Sequence, residues 1–463
     1  MPRHTVQLLA VLLGMSLHQF ATAAPLYKIR DLTPDGYSTS VAYDINSSGD
    51  AVGVAGTFAS GSLEEAYFLY DHSEETSTVF GVGAVVPHGS FTGSGFREAA
   101  INDSGQIAGT ARFIGGSPQL RGFIYSGGAS GSFTNLGVLP GATATGIRPA
   151  SDALDINSSG IATGTATSGA GTINNEGDNL DVYKSTASPI VDIDGDITVV
   201  TRGDRGRAIN DAGLVAGSNE SSRATLFDGP METILLAGTP YASEASVAMD
   251  LNDSGMVAGS AIASNDAFIY DSSDSSVTVI PQIGTGNRMN AKAINEEGDV
   301  VGHGDRDGGL SGQARGYVYL GEDATSYILE DHILDKTVPA VPGLGDWGTL
   351  RTGWGINDSG WIVGNGERRF TGASFPTGRA YLLIPTVVPP NGDINDDGQY
   401  TGADFLEWQR GVDTGLYDAD DLADWAANYG TTSLQVSIGN VPEPSAAVLL
   451  MLAGVAALTV RRS

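Results

Sequence analysis

Along the middle of the chain, apolar and β-branched residues alternate with small or polar ones in short runs, as in Gly298-Asp299-Val300-Val301-Gly302, which predicts β-strands. The runs are organised by a repeat, Ile/Leu-Asn-x-x-Gly-x-x-x-Gly, that begins at Ile45, Ile101, Ile156, Ile209, Leu251, Ile294 and Ile356. From Asn46 to Asn357 is 311 residues over six intervals, so the unit averages about 52. Asn-x-x-Gly suits a type I turn, with Asn bonding its own backbone at the first corner and Gly taking positive φ at the last. A strand enters and a strand leaves. Three positions before each Ile/Leu the residue is small in six copies (Ala42, Ala153, Gly206, Ala248, Ala291, Gly353), with Glu98 the exception.

Further on, most copies carry an aromatic third strand, such as Ala66-Tyr67-Phe68-Leu69-Tyr70 or Gly316-Tyr317-Val318-Tyr319; the third copy shows only Asp181-Val182-Tyr183. A fourth strand often follows, as in Ser276 to Ile280. Four strands in a unit of this length predict a propeller blade, with small residues on the crowded innermost strand and aromatics packed between blades. An open β-solenoid competes, although its rungs are usually shorter. The chain from Leu26 to Leu32 is a strand without a repeat, and the last repeat stops after its aromatic strand at Ile384-Pro385. The N-terminal strand is therefore expected to complete blade seven and remove the open sheet edges. The fold class is all-β, a seven-bladed β-propeller over residues 24–385. The repeat resembles the HAF family of extracellular bacterial repeats; the His of its His-Ala-Phe is absent here, and Ala267-Phe268 keeps the remainder.

Both ends read as addresses. Residues 1–23 combine Arg3 and His4, an apolar stretch from Val6 to Leu17 and Ala21-Thr22-Ala23, the order of a secretory signal peptide. At the other end Val441-Pro442-Glu443-Pro444 precedes an apolar run, 445–460, and then Arg461-Arg462. That run predicts a short transmembrane helix with its arginines on the cytoplasmic side. The segment 441–463 resembles the PEP-CTERM sorting signal, which implies an exosortase-type processing enzyme as a partner and membrane attachment only before processing. A permanent tail anchor is the alternative.

After a linker, 386–392, the chain reads Asp393-Ile394-Asn395-Asp396-Asp397-Gly398-Gln399-Tyr400-Thr401-Gly402-Ala403-Asp404. Oxygen donors at loop positions 1, 3 and 5, Gly at 6 and a carboxylate at 12 predict a calcium loop. Asp393, Asn395, Asp397 and Asp404 would give side-chain oxygens, Gln399 its carbonyl and Thr401 a contact through water. A loop that opens a helix with none before it resembles half of a dockerin. The second half, within 416–430, keeps a helix-like pattern but not the loop, so one calcium is expected in this small α-helical module, 393–430. Leu406, Trp408, Leu422 and Trp425 are its expected core, and 431–440 is a second linker.

Composition narrows the function. With 24 Lys and Arg against 54 Asp and Glu the net charge is −30, which argues against nucleic acid as a partner. Zero Cys removes disulfides, thiolate zinc and thiol nucleophiles, while 41% hydrophobic residues suffice for a core despite 64 Gly. Beyond the leader, His72, His88, His303 and His332 are the only histidines and are read as surface or loop residues; no hydrolase elbow or His-Glu-x-x-His occurs. The reading is a noncatalytic exported scaffold of the cell surface or extracellular matrix, with exopolysaccharide or a surface protein as partner. A carbohydrate-binding component docking through calcium is the first alternative. A propeller glycosidase or lyase with paired carboxylates in its axial channel is the second.

Overall fold

The computed structural model describes residues 25–386 except 60–61, 83, 88–98, 114–119, 129–130, 140–150, 168–179, 186–190, 193–204, 287, 307–313, 335, 337–343 and 371–376; it also describes 401–403, 405–406, 408, 425–426 and 429. All seven Asn-x-x-Gly copies close the same hairpin. The Gly N–H donates to the Asn carbonyl at 2.9–3.2 Å, the Asn N–H donates to the carbonyl four residues on, and the seven turn glycines have φ from 70° to 86°. A side chain there would meet the steric penalty of the left-handed region.

The second Gly of the motif has a different cause. Between the first two strands of blades 1, 4, 5, 6 and 7 the register skips one residue, namely Tyr43, Arg207, Met249, Lys292 and Trp354. The bulge presses the first strand's backbone onto its partner. A Cβ on Gly53, Gly217, Gly302 or Gly364 would stand 2.1, 1.8, 1.9 or 2.0 Å from the carbonyl oxygen of Val41, Arg205, Asn290 or Thr352. Only Gly fits.

Seven antiparallel sheets follow, each running outward from a first strand whose end meets the axis. Blade 1 is Thr39–Ile45, Ala51–Ala59, Ser62–Asp71 and Thr76–Phe80. Blades 3 to 6 begin at Asp155–Ile156, Arg205–Ile209, Ser246–Leu251 and Met289–Ile294. In blade 2 the first strand is split into Val85–Pro87 and Ala99–Ile101, both paired to Ile107–Phe113. Glu98, the position where the small-residue rule fails, lies outside the described residues. Blade 7 comprises Leu344–Ile356, Ile362–Phe370, Thr377–Thr386 and, outermost, the N-terminal strand Leu26–Asp31, paired from Leu26 opposite Thr386 to Asp31 opposite Tyr381. The propeller is thus seven-bladed and closed by its N-terminus.

The cores lie between blades. Tyr43, Tyr67, Phe123 and Tyr125 join blades 1 and 2, while Ile280, Met289 and Tyr317 join blades 5 and 6. The Tyr67 hydroxyl crosses the boundary to donate to the Thr110 carbonyl at 2.6 Å. Each buried aromatic adds roughly 1.5–3 kcal/mol, and the Tyr67 bond also satisfies a buried hydroxyl. The small residues of the first strand face the preceding blade, as where a Cβ on Gly206 would approach Val182 at 2.7 Å.

At the closing seam sits a buried ionic clasp. Asp31, 3% exposed, accepts from Arg379 Nε at 2.7 Å and from Arg368 Nη1 at 3.2 Å, and takes the Thr33 N–H at 2.9 Å on its other oxygen. Arg368 also donates to the Gly345 carbonyl at 3.0 Å and lies over the Trp347 ring.

The chain divides into two compact units, Met1–Thr386 and Val387–Ser463. In the second, Trp425 Nε1 donates to the Thr401 carbonyl at 2.7 Å, and Phe405 lies 5.8 Å from Trp408 and 5.0 Å from Trp425, ring centre to ring centre. This corrects the expected core: Leu406 is exposed. Phe405 and Trp408, three apart, share a helix face that Leu406 does not. Leu422 lies outside the described residues.

Replacing Asp31 with Ala leaves two buried guanidiniums without their shared carboxylate and is expected to cost about 3–5 kcal/mol. Guanidinium unfolding should show the midpoint fall, while Glu75→Ala, which breaks the more exposed Arg30–Glu75 pair, shifts it by under about 1 kcal/mol.

Candidate functional site

Everything that converges from all seven blades does so on the axis, and the repeat places polar groups there in rings. The first ring is made by the Asn side chains. Each Oδ1 accepts the N–H four residues on, at 2.8–3.0 Å, which fixes the amide's orientation. Each Nδ2 then donates to the backbone carbonyl of the next Asn. The bonds run Asn46 to Asn102 (3.4 Å), Asn102 to Asn157 (2.9 Å), Asn157 to Asn210 (3.1 Å), Asn210 to Asn252 (3.2 Å), Asn252 to Asn295 (2.9 Å) and Asn295 to Asn357 (3.3 Å). Asn357 closes the circle onto Asn46 at 3.0 Å. All seven side chains are buried.

Outside this ring runs a ring of carboxylates, one residue after each Asn in five blades: Asp103, Asp211, Asp253, Glu296 and Asp358. Each accepts from the backbone of the preceding blade, from Ser47 N–H to Asp103 (2.9 Å) round to Glu296 N–H to Asp358 (3.0 Å). A third set, Asp44, Asp155 and Asp250, bonds the N–H of Ile101, Ile209 and Ile294 in the following blade at 2.8–2.9 Å. The three sets line an open depression of about 240 Å³ whose wall includes no Lys or Arg among the described residues. Burial raises the Asp253 carboxyl above its ordinary value. The bond from Asp211 N–H opposes this, and the charges of Asp211, Glu296 and Asp358 add to it.

Deeper along the axis the bulged residues of blades 4 to 7 meet Leu154, which holds the same motif position in blade 3. Leu154, Arg207, Met249, Lys292 and Trp354, from blades 3 to 7, line one small cavity, and Tyr43 of blade 1 meets Trp354 edge-on at 5.4 Å. Lys292 Nζ lies 4.5 Å above the centre of the Trp354 ring, whose Nε1 donates to Asn365 at 3.1 Å. Arg207 and Lys292 are 9% and 7% exposed. Burial lowers the Arg207 guanidinium to about 10, aided by Arg205 and opposed by Asp152. His303 is held neutral, at about 3, by burial and then by Lys292 and Arg288. The loop position expected for His303 is corrected by its place in the second strand of blade 6, Val300–Asp305; His72 follows a strand end and His332 ends a short 3-10 turn. His88 lies outside the described residues.

Of the expected calcium ligands, Thr401 alone is described; its hydroxyl accepts the Ala403 N–H at 3.1 Å, capping the helical turn that follows. Asp393, Asn395, Asp397, Gln399 and Asp404 lie outside the described residues, as do the leader 1–23 and the tail with Val441, Pro442, Glu443, Pro444, Arg461 and Arg462. Among the described residues no cluster of three His, Asp or Glu could hold a metal, and no helix is long and apolar enough to cross a membrane.

The family described as "protein of unknown function (DUF3466)" matches over residues 25–147, the N-terminal strand and the strands of the first two blades. No curated protein matches the chain. Among solved structures the chain is similar to virginiamycin B lyase from Staphylococcus aureus in complex with quinupristin, with 11% identity, TM-score 0.42, and coverage of 77% of this chain and 99% of that one. A streptogramin B lyase gives 12%, 0.43, 78% and 98%, and a puromycin-hydrolyzing peptidase of Mycobacterium tuberculosis gives 12%, 0.41, 77% and 56%. At these identities the likeness concerns the fold alone.

Asn157→Ala removes the interblade donor to the Asn210 carbonyl, which keeps the Gly213 N–H, and the Ile161 N–H's acceptor together. A loss of about 2–4 kcal/mol is expected in urea unfolding, against little change for Ser159→Ala. Burial raises the Asp152 carboxyl from 3.8 to about 6, against the Thr165 N–H, Arg207 and Arg205. The fold holds that proton through a range where the unfolded chain has released it. Stability should therefore fall by roughly 1–3 kcal/mol as pH rises from about 4 to about 6, and Asp152→Asn should flatten the slope.

Proposed function

We propose that this protein is an exported, noncatalytic propeller scaffold of the cell surface or extracellular matrix that binds exopolysaccharide or a surface protein. The observation that carries this reading is the use made of the axial polar groups. The Asn amides and the carboxylates at the mouth are engaged in bonds from one blade to the next. A ring of fasteners favours a stiff platform that presents its outer surfaces. The segments between blades and between second and third strands leave from the end opposite the Asn turns, and they vary most in length, as binding loops on a rigid scaffold do.

Export rests on the 1–23 leader pattern, and sorting rests on the 441–463 tail with an exosortase-type enzyme as its processing partner. The Asp393–Asp404 loop would bind calcium through Asp393, Asn395, Asp397, Gln399, Thr401 and Asp404, adding a cation-dependent contact outside the cell. With a net charge of −30 the protein would meet an acidic matrix largely through such bridging cations.

The test is retention of the mature protein on the producing cell's exopolysaccharide with calcium and with chelator. Retention lost with chelator or in Asp393→Ala, and no sugar released, is the expected result. Release of sugar would make the protein an enzyme, and no retention in either condition would turn the search to protein partners.

A further inference from the structure

Bulges place one side chain from each of five blades into the axis. In a ring so crowded that the position before each is Ala or Gly, small apolar residues would fill that space without desolvating charge. Two of the five are instead long cations: Arg207 of blade 4 and Lys292 of blade 6, each more than nine-tenths buried. They line the same cavity, of about 10 Å³, room for about one water-sized sphere. The remaining wall is Leu154, Met249 and Trp354. Around it the field is positive on several sides. Arg205 opposes the charge of Arg207, and Lys292 and Arg288 oppose that of His303, while Asp152 offsets Arg207 and Asp305 pairs with Arg288 at 3.1 Å.

We propose that the axial cavity between Arg207 and Lys292 is an anion site, sized for a monatomic anion or one oxygen of a carboxylate. Two cations from blades that do not touch in sequence approach the cavity from separate sides, which suits a single negative charge. The apolar wall excludes competing water and strengthens the attraction. Trp354 gives Lys292 a fixed seat, since the ammonium lies on the indole face and Tyr43 packs edge-on against that ring. The acidic mouth at the Asn end repels anions, which disfavours entry from that side. The site stands independently of the scaffold reading; a matrix polymer rich in uronates would connect the two.

Trp354 is the reporter. Bromide is titrated into the full-length mature protein at constant ionic strength while tryptophan fluorescence is followed. The expected result is a saturable quenching component that is absent in Trp354→Phe, is displaced by chloride and by formate, and needs about tenfold or more bromide in Lys292→Met. Quenching that rises linearly and is equal in all three proteins would overturn the proposal. Should Lys292→Met fail to fold, bromide-soaked crystals of the unaltered protein decide the matter: an anomalous peak between Arg207 and Lys292 supports the site, and no peak there overturns it. Displacement by a glucuronate oligosaccharide as well as by chloride would support a polymer carboxylate as the source; displacement by chloride and formate alone would support the site with a free small anion.

Discussion

A circle of seven side-chain amides is the interaction on which this propeller depends. Each Asn is held in place by its own turn and reaches to the next, and the final bond joins residues 311 apart in sequence. Asn is suited because it combines an acceptor and a donor on a short stem: Asp has no donor, and the longer Gln would not keep both bonds at once. The amides are buried, so each bond left unmade exposes a desolvated partner and the circle holds as a unit. Hairpin, glycine and bulge all serve to bring seven such amides to one radius.

Charge is arranged along the same axis. Carboxylates gather at the Asn end, where backbone N–H groups of neighbouring blades receive them, and cations sit deeper, among aromatic and apolar side chains. The acidic groups are fastened to the scaffold. The cations are seated in it, and burial together with Arg205 works against the charge of Arg207. In a protein carrying 24 basic residues against 54 acidic ones, burying two of the former beside one cavity is a specific use of a scarce residue type.

Blade number, hairpin turns and the closing strand were legible in the sequence because each is local or follows from counting. Asn-x-x-Gly states its turn in four residues, and a strand without a repeat at one end answers a repeat without a strand at the other. The Asn ring was not legible, because its donors act across units about 52 residues apart while the visible pattern is satisfied by the Oδ1 bonds within the turn. The bulge was hidden too; its signal was the second Gly, whose spacing gives no reason until the carbonyl of the facing strand is placed against it. Arg207, Lys292 and Trp354 occupy a position with no common residue type, so nothing in the repeat marks them. Only the variability two places before each Ile/Leu could have. At Phe405 and Leu406 an apolar pattern alone does not settle which of two adjacent residues turns inward.

The residue before each Ile/Leu carries a subtler order. Asp44, Asp155 and Asp250 alternate with Ala100, Ala208 and Ala293 around blades 1 to 6, each Asp reaching forward to the N–H of the following blade. An alternating code closes without fault on an even ring and must fail once on an odd one. Here the failure falls at blade 7, where Gly355 follows Ala293, and a Cβ on Gly355 would stand 3.0 Å from Asp44 Cα. That blade is also the one assembled from both ends of the propeller chain, with the Asp31 clasp on its outer strand. Parity thus singles out one boundary in an otherwise repetitive ring, and it makes neighbouring blades distinguishable.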